Sequence, residues 1–148
     1  MQDALHALGF DYSVEELPDS TRTAAEAAQA VGCQVGQIVK SLVFMTRRSQ
    51  RPILVIASGA NRVNEQSIGQ LLGEAIEKAD AEFIRQATGF AIGGVPPVGH
   101  ATQLETWIDE DLLCFDPVWA AAGTPNAVFA LAPQDLVTMT DGRVVCVK

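Results

Sequence analysis

Only two histidines, His6 and His100, and three cysteines, Cys33, Cys114 and Cys146, occur among the 148 residues. No cysteine pair has metal-ligand spacing and the histidines are far apart, so neither a zinc centre nor any other cofactor is expected. Three scattered thiols build no disulfide framework, and reduced, buried cysteines are the expectation. No apolar run approaches the ~20 residues of a membrane span. Residues 1–10 hold no Lys or Arg. The basic start of a signal peptide is thus missing, and a cytoplasmic protein is expected. A Walker-type phosphate loop and a G-x-G-x-x-G fingerprint are also lacking, which argues against nucleotide hydrolysis and dinucleotide chemistry. Without a G-x-S-x-G elbow, a Ser/His/Asp triad would have to be built on His100.

Apolar residues make up 48% of the chain and charged residues 19%, an ordinary globular composition. The length suits one domain spanning residues 1–148. A net charge of -8 speaks against a general nucleic-acid binder, and neither DNA nor a membrane is expected as a partner. The charge is unevenly spread. Residues 27–64 contain no Asp or Glu but five basic residues, Lys40, Arg47, Arg48, Arg51 and Arg62. A segment of +5 therefore sits in a remainder of -13. Such a segment can hold one anionic end of a ligand while the acidic body repels long polyanions. Alternatively, Arg47, Arg48 and Arg51 only solvate a hairpin tip.

The chain lacks a low-complexity run or repeat. Helical spacing appears over residues 1–8, and residues 12–17 suit a short edge strand. Thr23 and Glu26 form a capping-box pattern before an Ala-rich helix that stops at Gly32. Residues 38–45 and 53–57 are apolar, β-branched strands around a polar loop, hence a hairpin. Asn64 caps a helix through Leu72, and residues 81–87 form another ended by Gly89. Further strands are expected at 90–92, 104–108, 112–115, 127–131 and 144–147, with a helical turn at 133–137. Connections too short for parallel crossovers point to an α+β fold. Its sheet, mixed and largely antiparallel, or a partial barrel, would carry small peripheral helices.

Two features stand out. Lys40 lies within Gln37-Ile38-Val39-Lys40-Ser41-Leu42-Val43-Phe44 and shares a strand face with Ile38 and Leu42. A buried ammonium is costly unless something polar meets it, so Lys40 is either a site residue or a snorkelling edge lysine. The segment Gly93-Gly94-Val95-Pro96-Pro97-Val98-Gly99 joins two side-chain-free residues to a stiff turn. It can present backbone N–H groups to a carbonyl or oxyanion, or serve as a structural turn.

Three stretches resemble the bacterial YbaK/EbsC family, free-standing relatives of the editing domain of bacterial prolyl-tRNA synthetase. They are Thr23-Ala24-Ala25-Glu26-Ala27-Ala28, Val39-Lys40-Ser41-Leu42-Val43-Phe44, and Thr88-Gly89-Phe90-Ala91-Ile92-Gly93-Gly94 continuing to His100. The stretch from Ala121 to Leu136 is also similar to the family's C-terminal part. The resemblance implies a trans-acting deacylase that hydrolyses the ester of a mischarged aminoacyl-tRNA, with a small amino acid on proline tRNA as the expected substrate. The family's essential lysine falls on Lys40. Its G-x-x-x-P loop falls on residues 93–97, with Gly93 and Gly94 in the catalytic loop. The substrate-binding positions fall on Thr23, Ser41, Val95, Pro96, Pro97 and His100. The histidine of the alanine-specific branch belongs to a later motif absent here. The expected partner is the acceptor end of a mischarged tRNA, and a synthetase or elongation factor is a further candidate. Three alternatives stay open: a non-catalytic tRNA- or ligand-binding module, a synthetase-docking module using the acidic run 105–116, and an esterase with Cys33 or Ser41 as nucleophile.

Overall fold

A computed structural model describes residues 2–18, 23–92 and 94–148. Among these, eight strands join one mixed sheet in the order β1-β7-β6-β2-β3-β5-β8, with β4 also paired to β2. The strands are β1 (Glu15–Glu16), β2 (Ile38–Thr46), β3 (Pro52–Ser58), β4 (Ile76–Lys78), β5 (Glu105–Asp109), β6 (Val118–Ala121), β7 (Ala127–Leu131) and β8 (Arg143–Val145). The helices are α1 (Gln2–Ala7), α2 (Ala24–Val31), α3 (Glu65–Leu72), α4 (Ala81–Thr88) and α5 (Pro133–Thr140). Antiparallel pairs outnumber the parallel ones, which are β2 with β6, β3 with β5, and β5 with β8. The α+β expectation holds, and the sheet stays open rather than closing into a barrel.

The β2–β3 hairpin is the centre. Its seven paired positions run from Val39 opposite Ser58 to Met45 opposite Pro52. Residues 53–58 are all buried, as a continuous apolar run covered on both faces must be. Val39, Val43, Leu54 and Ile56 point into the larger core, with Phe129 and Ile84. Phe44, Ile53, Val55 and Ala57 point to the other side, with Ile68 and Trp107. The period-two pattern alone assigns these faces.

The helix ends follow local chemistry. Thr23 Oγ1 accepts from the Glu26 amide at 3.1 Å, Asn64 Oδ1 from Ser67 at 3.1 Å and Asp80 Oδ1 from Phe83 at 2.8 Å. Each bond satisfies an amide that the first turn leaves unpaired.

Several expected elements differ, for identifiable reasons. Residues 90–92 form no strand, because the Phe90 amide donates to Thr88 Oγ1 at 3.0 Å and Gly94 N–H closes a turn onto Ala91 O at 3.1 Å. Residues 112–114 belong to a 3-10 turn, Glu110–Cys114, and Phe115 follows as its extended cap. The Asp109 side chain accepts from the Asp111 amide at 2.9 Å and diverts the backbone from the ladder. Of residues 12–17 only Glu15 and Glu16 pair with β7. The Tyr12 hydroxyl instead binds Asp135 and the Ala132 amide. The short strands β4 and β6 escape any periodicity reading. The cysteines are free but not buried: Cys114 and Cys146 are exposed and Cys33 is half-buried. Cys146 alternates with fully buried Val147 in extended chain, which turns the thiol outward.

Gly59, at the end of the hairpin, is fixed by close approach. A Cβ there would lie 2.5 Å from Val35 O and 2.8 Å from the Ala24 side chain. Gly59→Ala is expected to cost about 1–3 kcal/mol, lowering Tm by roughly 5–10 °C in a calorimetric scan. An unchanged Tm would contradict this packing.

Candidate functional site

β2 is paired to β3 along nearly its whole length but only partly on its other edge. There it meets β6 through Ile38 and Val39, and β4 through Phe44, Met45 and Thr46. Residues 40–43 between them have a strand partner only on the β3 side. The Ile38 carbonyl accepts from Gly59, at the end of β3, and the Thr46 amide donates to Arg51 on that same side. By alternation, the backbone groups of Ser41 and Val43 face the gap.

A cavity of about 550 Å³ opens at this gap, within the size range of small-molecule sites. Because it threads the sheet, both faces of β2 line it, Val39, Ser41 and Val43 from one and Lys40, Leu42 and Phe44 from the other. Helix α2 contributes Ala24, Ala27 and Val31, with Thr23 at its cap. Ile92 and Val95 enter from the loop after α4, and Ala120 and Ala121 from β6. Small apolar side chains thus form much of the wall, with a few polar groups among them.

Lys40 is the best-defined of those polar groups. Its Nζ donates to the Asn61 carbonyl at 2.6 Å. Burial pushes the ammonium below the ordinary lysine range, and the Asp109 charge acts in the opposite direction. Asp109 is 1% exposed. It accepts from the Ser58 amide at 3.0 Å and from Asn61 Nδ2 at 2.8 Å. The lysine sits half-buried between a fixed carbonyl and an open cavity.

The glycine–proline loop reaches the same cavity through Val95. Gly93 lies outside the described residues. Gly94 is pressed against backbone: a Cβ there would stand 2.9 Å from Thr124 Cα. Its missing side chain therefore admits a neighbouring chain segment, and its N–H is spent on Ala91 O. Pro96 and Pro97 carry no N–H and are buried, like Val98. The Val95 amide makes no hydrogen bond among the described residues. His100 does not line the cavity; it bonds the Pro96 carbonyl at 2.7 Å, and burial holds its imidazole below the ordinary histidine range. The structure thus brings Thr23, Lys40, Ser41 and Val95 to one cavity, while Gly94, Pro96, Pro97 and His100 do not line it.

The basic segment disperses in three dimensions. Arg47 pairs with Glu77 at 3.5 Å and Arg51 with Glu105 at 3.3 Å, as a solvated hairpin tip would. Among the described residues, the cations that line the cavity are Lys40, Arg62 and Lys78, from three different parts of the chain. Lys78, Asn61 and Asp109 were not singled out in the sequence. Asp109 sits in an acidic run that reads as a solvated face, and nothing in the spacing marks it as buried.

The aminoacyl-tRNA editing domain family matches residues 18–139. YwhH of Bacillus subtilis, of uncharacterized function, is 30% identical over 88% of this chain and 83% of its own. EbsC of Enterococcus faecalis, described as a candidate Cys-tRNA(Pro)/Cys-tRNA(Cys) deacylase, is 23% identical over 82% of this chain and 74% of its own. The crystal structure of a candidate trans-editing enzyme for prolyl-tRNA synthetase superposes with a TM-score of 0.94 at 51% identity. That superposition covers 99% of this chain and 93% of the other. The order of motifs, the cavity at β2 and the match over most of the chain lead to one conclusion: this protein belongs to the aminoacyl-tRNA editing domain family, in its YbaK/EbsC branch.

Proposed function

We propose that this chain hydrolyses the ester of mischarged aminoacyl-tRNA in trans, with a small amino acid on proline tRNA as its substrate. The observation that carries the reading is the meeting of the Lys40 ammonium, the Val95 loop and a cavity walled by small apolar side chains. The relatives described as acting with prolyl-tRNA synthetase or on Cys-tRNA(Pro) support the substrate class. In hydrolysis the water oxygen bonds to the ester carbonyl carbon. The bond from that carbon to the ribose oxygen then breaks, and a proton passes to the ribose oxygen. The protonated Lys40 supplies a point charge at the ester end of the substrate. The Val95 amide donates to the carbonyl oxygen as charge develops on it. Arg62 and Lys78 meet the nearest phosphates of the acceptor end, too few contacts to hold a whole tRNA. Such a reaction belongs in the cytoplasm, where charged tRNA is found.

A side-chain nucleophile finds little support. Ser41 Oγ is buried and has no hydrogen-bond partner among the described residues, so no base found there activates it. Burial pushes the Cys33 thiol up, away from the reactive thiolate.

Lys40→Ala is expected to stay folded and to lose roughly a hundredfold in deacylation, the effect of one charge-assisted contact worth ~2–3 kcal/mol. Lys40→Arg restores only part of it, because a planar guanidinium does not replace a compact ammonium. Ser41→Ala and Cys33→Ala stay within a few fold of wild type. The assay is release of the amino acid from mischarged proline tRNA, screened over small amino acids. Near-normal turnover by folded Lys40→Ala, or tight tRNA binding with no turnover of any ester, overturns the reading.

Catalysis also carries a pH signature. The ammonium is the active form, so the enzymatic rate falls as pH rises through the depressed Lys40 pKa. The expected pH–rate profile has an alkaline limb below the ordinary lysine value, and that limb is absent in Lys40→Arg. A profile that keeps rising through this range contradicts the assigned protonation state.

A further inference from the structure

One member of the acidic run 105–116 is not solvated: Asp109, at the end of β5, is buried while Glu105, Glu110 and Asp116 are exposed. Asp109, 1% exposed, spends both carboxylate oxygens on donors: Oδ2 on the Ser58 amide and Asn61 Nδ2, Oδ1 on the Asp111 amide. The same Asn61 Nδ2 donates to Asp111 Oδ2 at 2.7 Å, and Asp111 pairs with Lys148 at 2.9 Å. Asn61 is thereby held by its side chain from two carboxylates. Its carbonyl is then the fixed acceptor of Lys40 Nζ. The next two residues, Arg62 and Val63, line the cavity.

We propose that Asp109 and Asn61 are positioning residues for Lys40: the buried carboxylate anchors the turn after β3, and the Asn61 carbonyl of that turn holds the ammonium at the cavity wall. The inference rests on the reading of Lys40 as the charge used in deacylation. A free lysine side chain samples many rotamers, and ordering it costs up to ~2 kcal/mol in a site that must place charge accurately. A pre-set carbonyl removes that cost before substrate arrives. Burial lowers the affinity of the amine for its proton, and the more distant Asp109 charge opposes that shift. Among the described residues, the other charged groups lining the cavity are Arg62 beside the turn, Glu65 at the start of α3 and Lys78 on β4; Asp111 and Lys148 pair with each other beside Asn61. Asp109 is the one among these for which an attraction to Lys40 is resolved. Asparagine at 109 cannot replace it, since its amide nitrogen would face one of three donors.

The chain has three lysines, so 13C-labelled lysine side chains give an assignable NMR titration of Lys40. In Asp109→Asn, and in the milder Asn61→Ala, the Lys40 midpoint is expected to fall by roughly half a unit or more. The alkaline limb of the deacylation profile is expected to move to lower pH with it, and kcat to drop about tenfold with KM little changed. A merely structural role would not move the limb. An unmoved Lys40 midpoint in the folded variants overturns the inference, and Asn61→Ala alone decides if Asp109→Asn does not fold. Unaltered kcat in variants with a shifted midpoint also overturns it. The two ideas fail separately: full activity in Lys40→Ala defeats the assigned function, while the lysine titration still reports whether Asp109 and Asn61 set its state.

Discussion

The site depends on an incomplete pairing. A nine-residue strand held by β3 along one edge meets two short strands on the other, and neither covers its middle. A central strand with a free stretch of edge carries polar backbone groups that must be satisfied by water or ligand. Here the stretch faces a cavity rather than another strand. Had β4 or β6 been four residues longer, the gap would close and Lys40 would lie on an ordinary buried sheet face. The hairpin supplies the rigidity, since residues 53–58 are packed on both sides. Small residues on α2 and β6 keep the hollow open.

Electrostatics then divide the labour. A body of net charge -8 repels a polyanion, and a few cations at one cavity reverse this locally. The distribution favours one anionic end of a ligand at the cavity over contact along an extended polyanion. Within the cavity the charge is not simply displayed. Lys40 is bound to a carbonyl whose turn is clasped by Asp109, so acidic residues of a body that repels polyanions hold an ammonium at the cavity at short range. Stability and function meet in this turn, which also includes the tightly packed Gly59.

Much of this was readable in the residues. The hairpin, the caps at Thr23 and Asn64, and the anomaly of a lysine in an apolar strand follow from periodicity and side-chain chemistry. The meeting of Lys40 with Val95 at one cavity is a property of the fold. What escaped reading was of three kinds. Short strands such as β4 show no period, because their pairing is dictated by the hairpin they dock on. Side chains that compete for backbone groups, Thr88 with Phe90 and Asp109 with Asp111, turned expected strands into loop and 3-10 turn. Long-range burial is invisible locally: Asp109 and Asp111 look alike in sequence, yet only one lies under the sheet end. Of the two readings of the glycine pair, ligand approach or a structural turn, Gly94 fits the structural one through its contact with Thr124.

The most direct measurement of the central claim is chemical-shift mapping with a non-hydrolysable aminoacyl-adenosine analogue, its ester replaced by an amide. The account predicts saturable perturbation of the amides of residues 40–43, 62–63 and 92–95, surrounding the gap at β2. Perturbation confined to other faces, such as α5 and β8, with residues 40–43 unmoved at saturation, would contradict it.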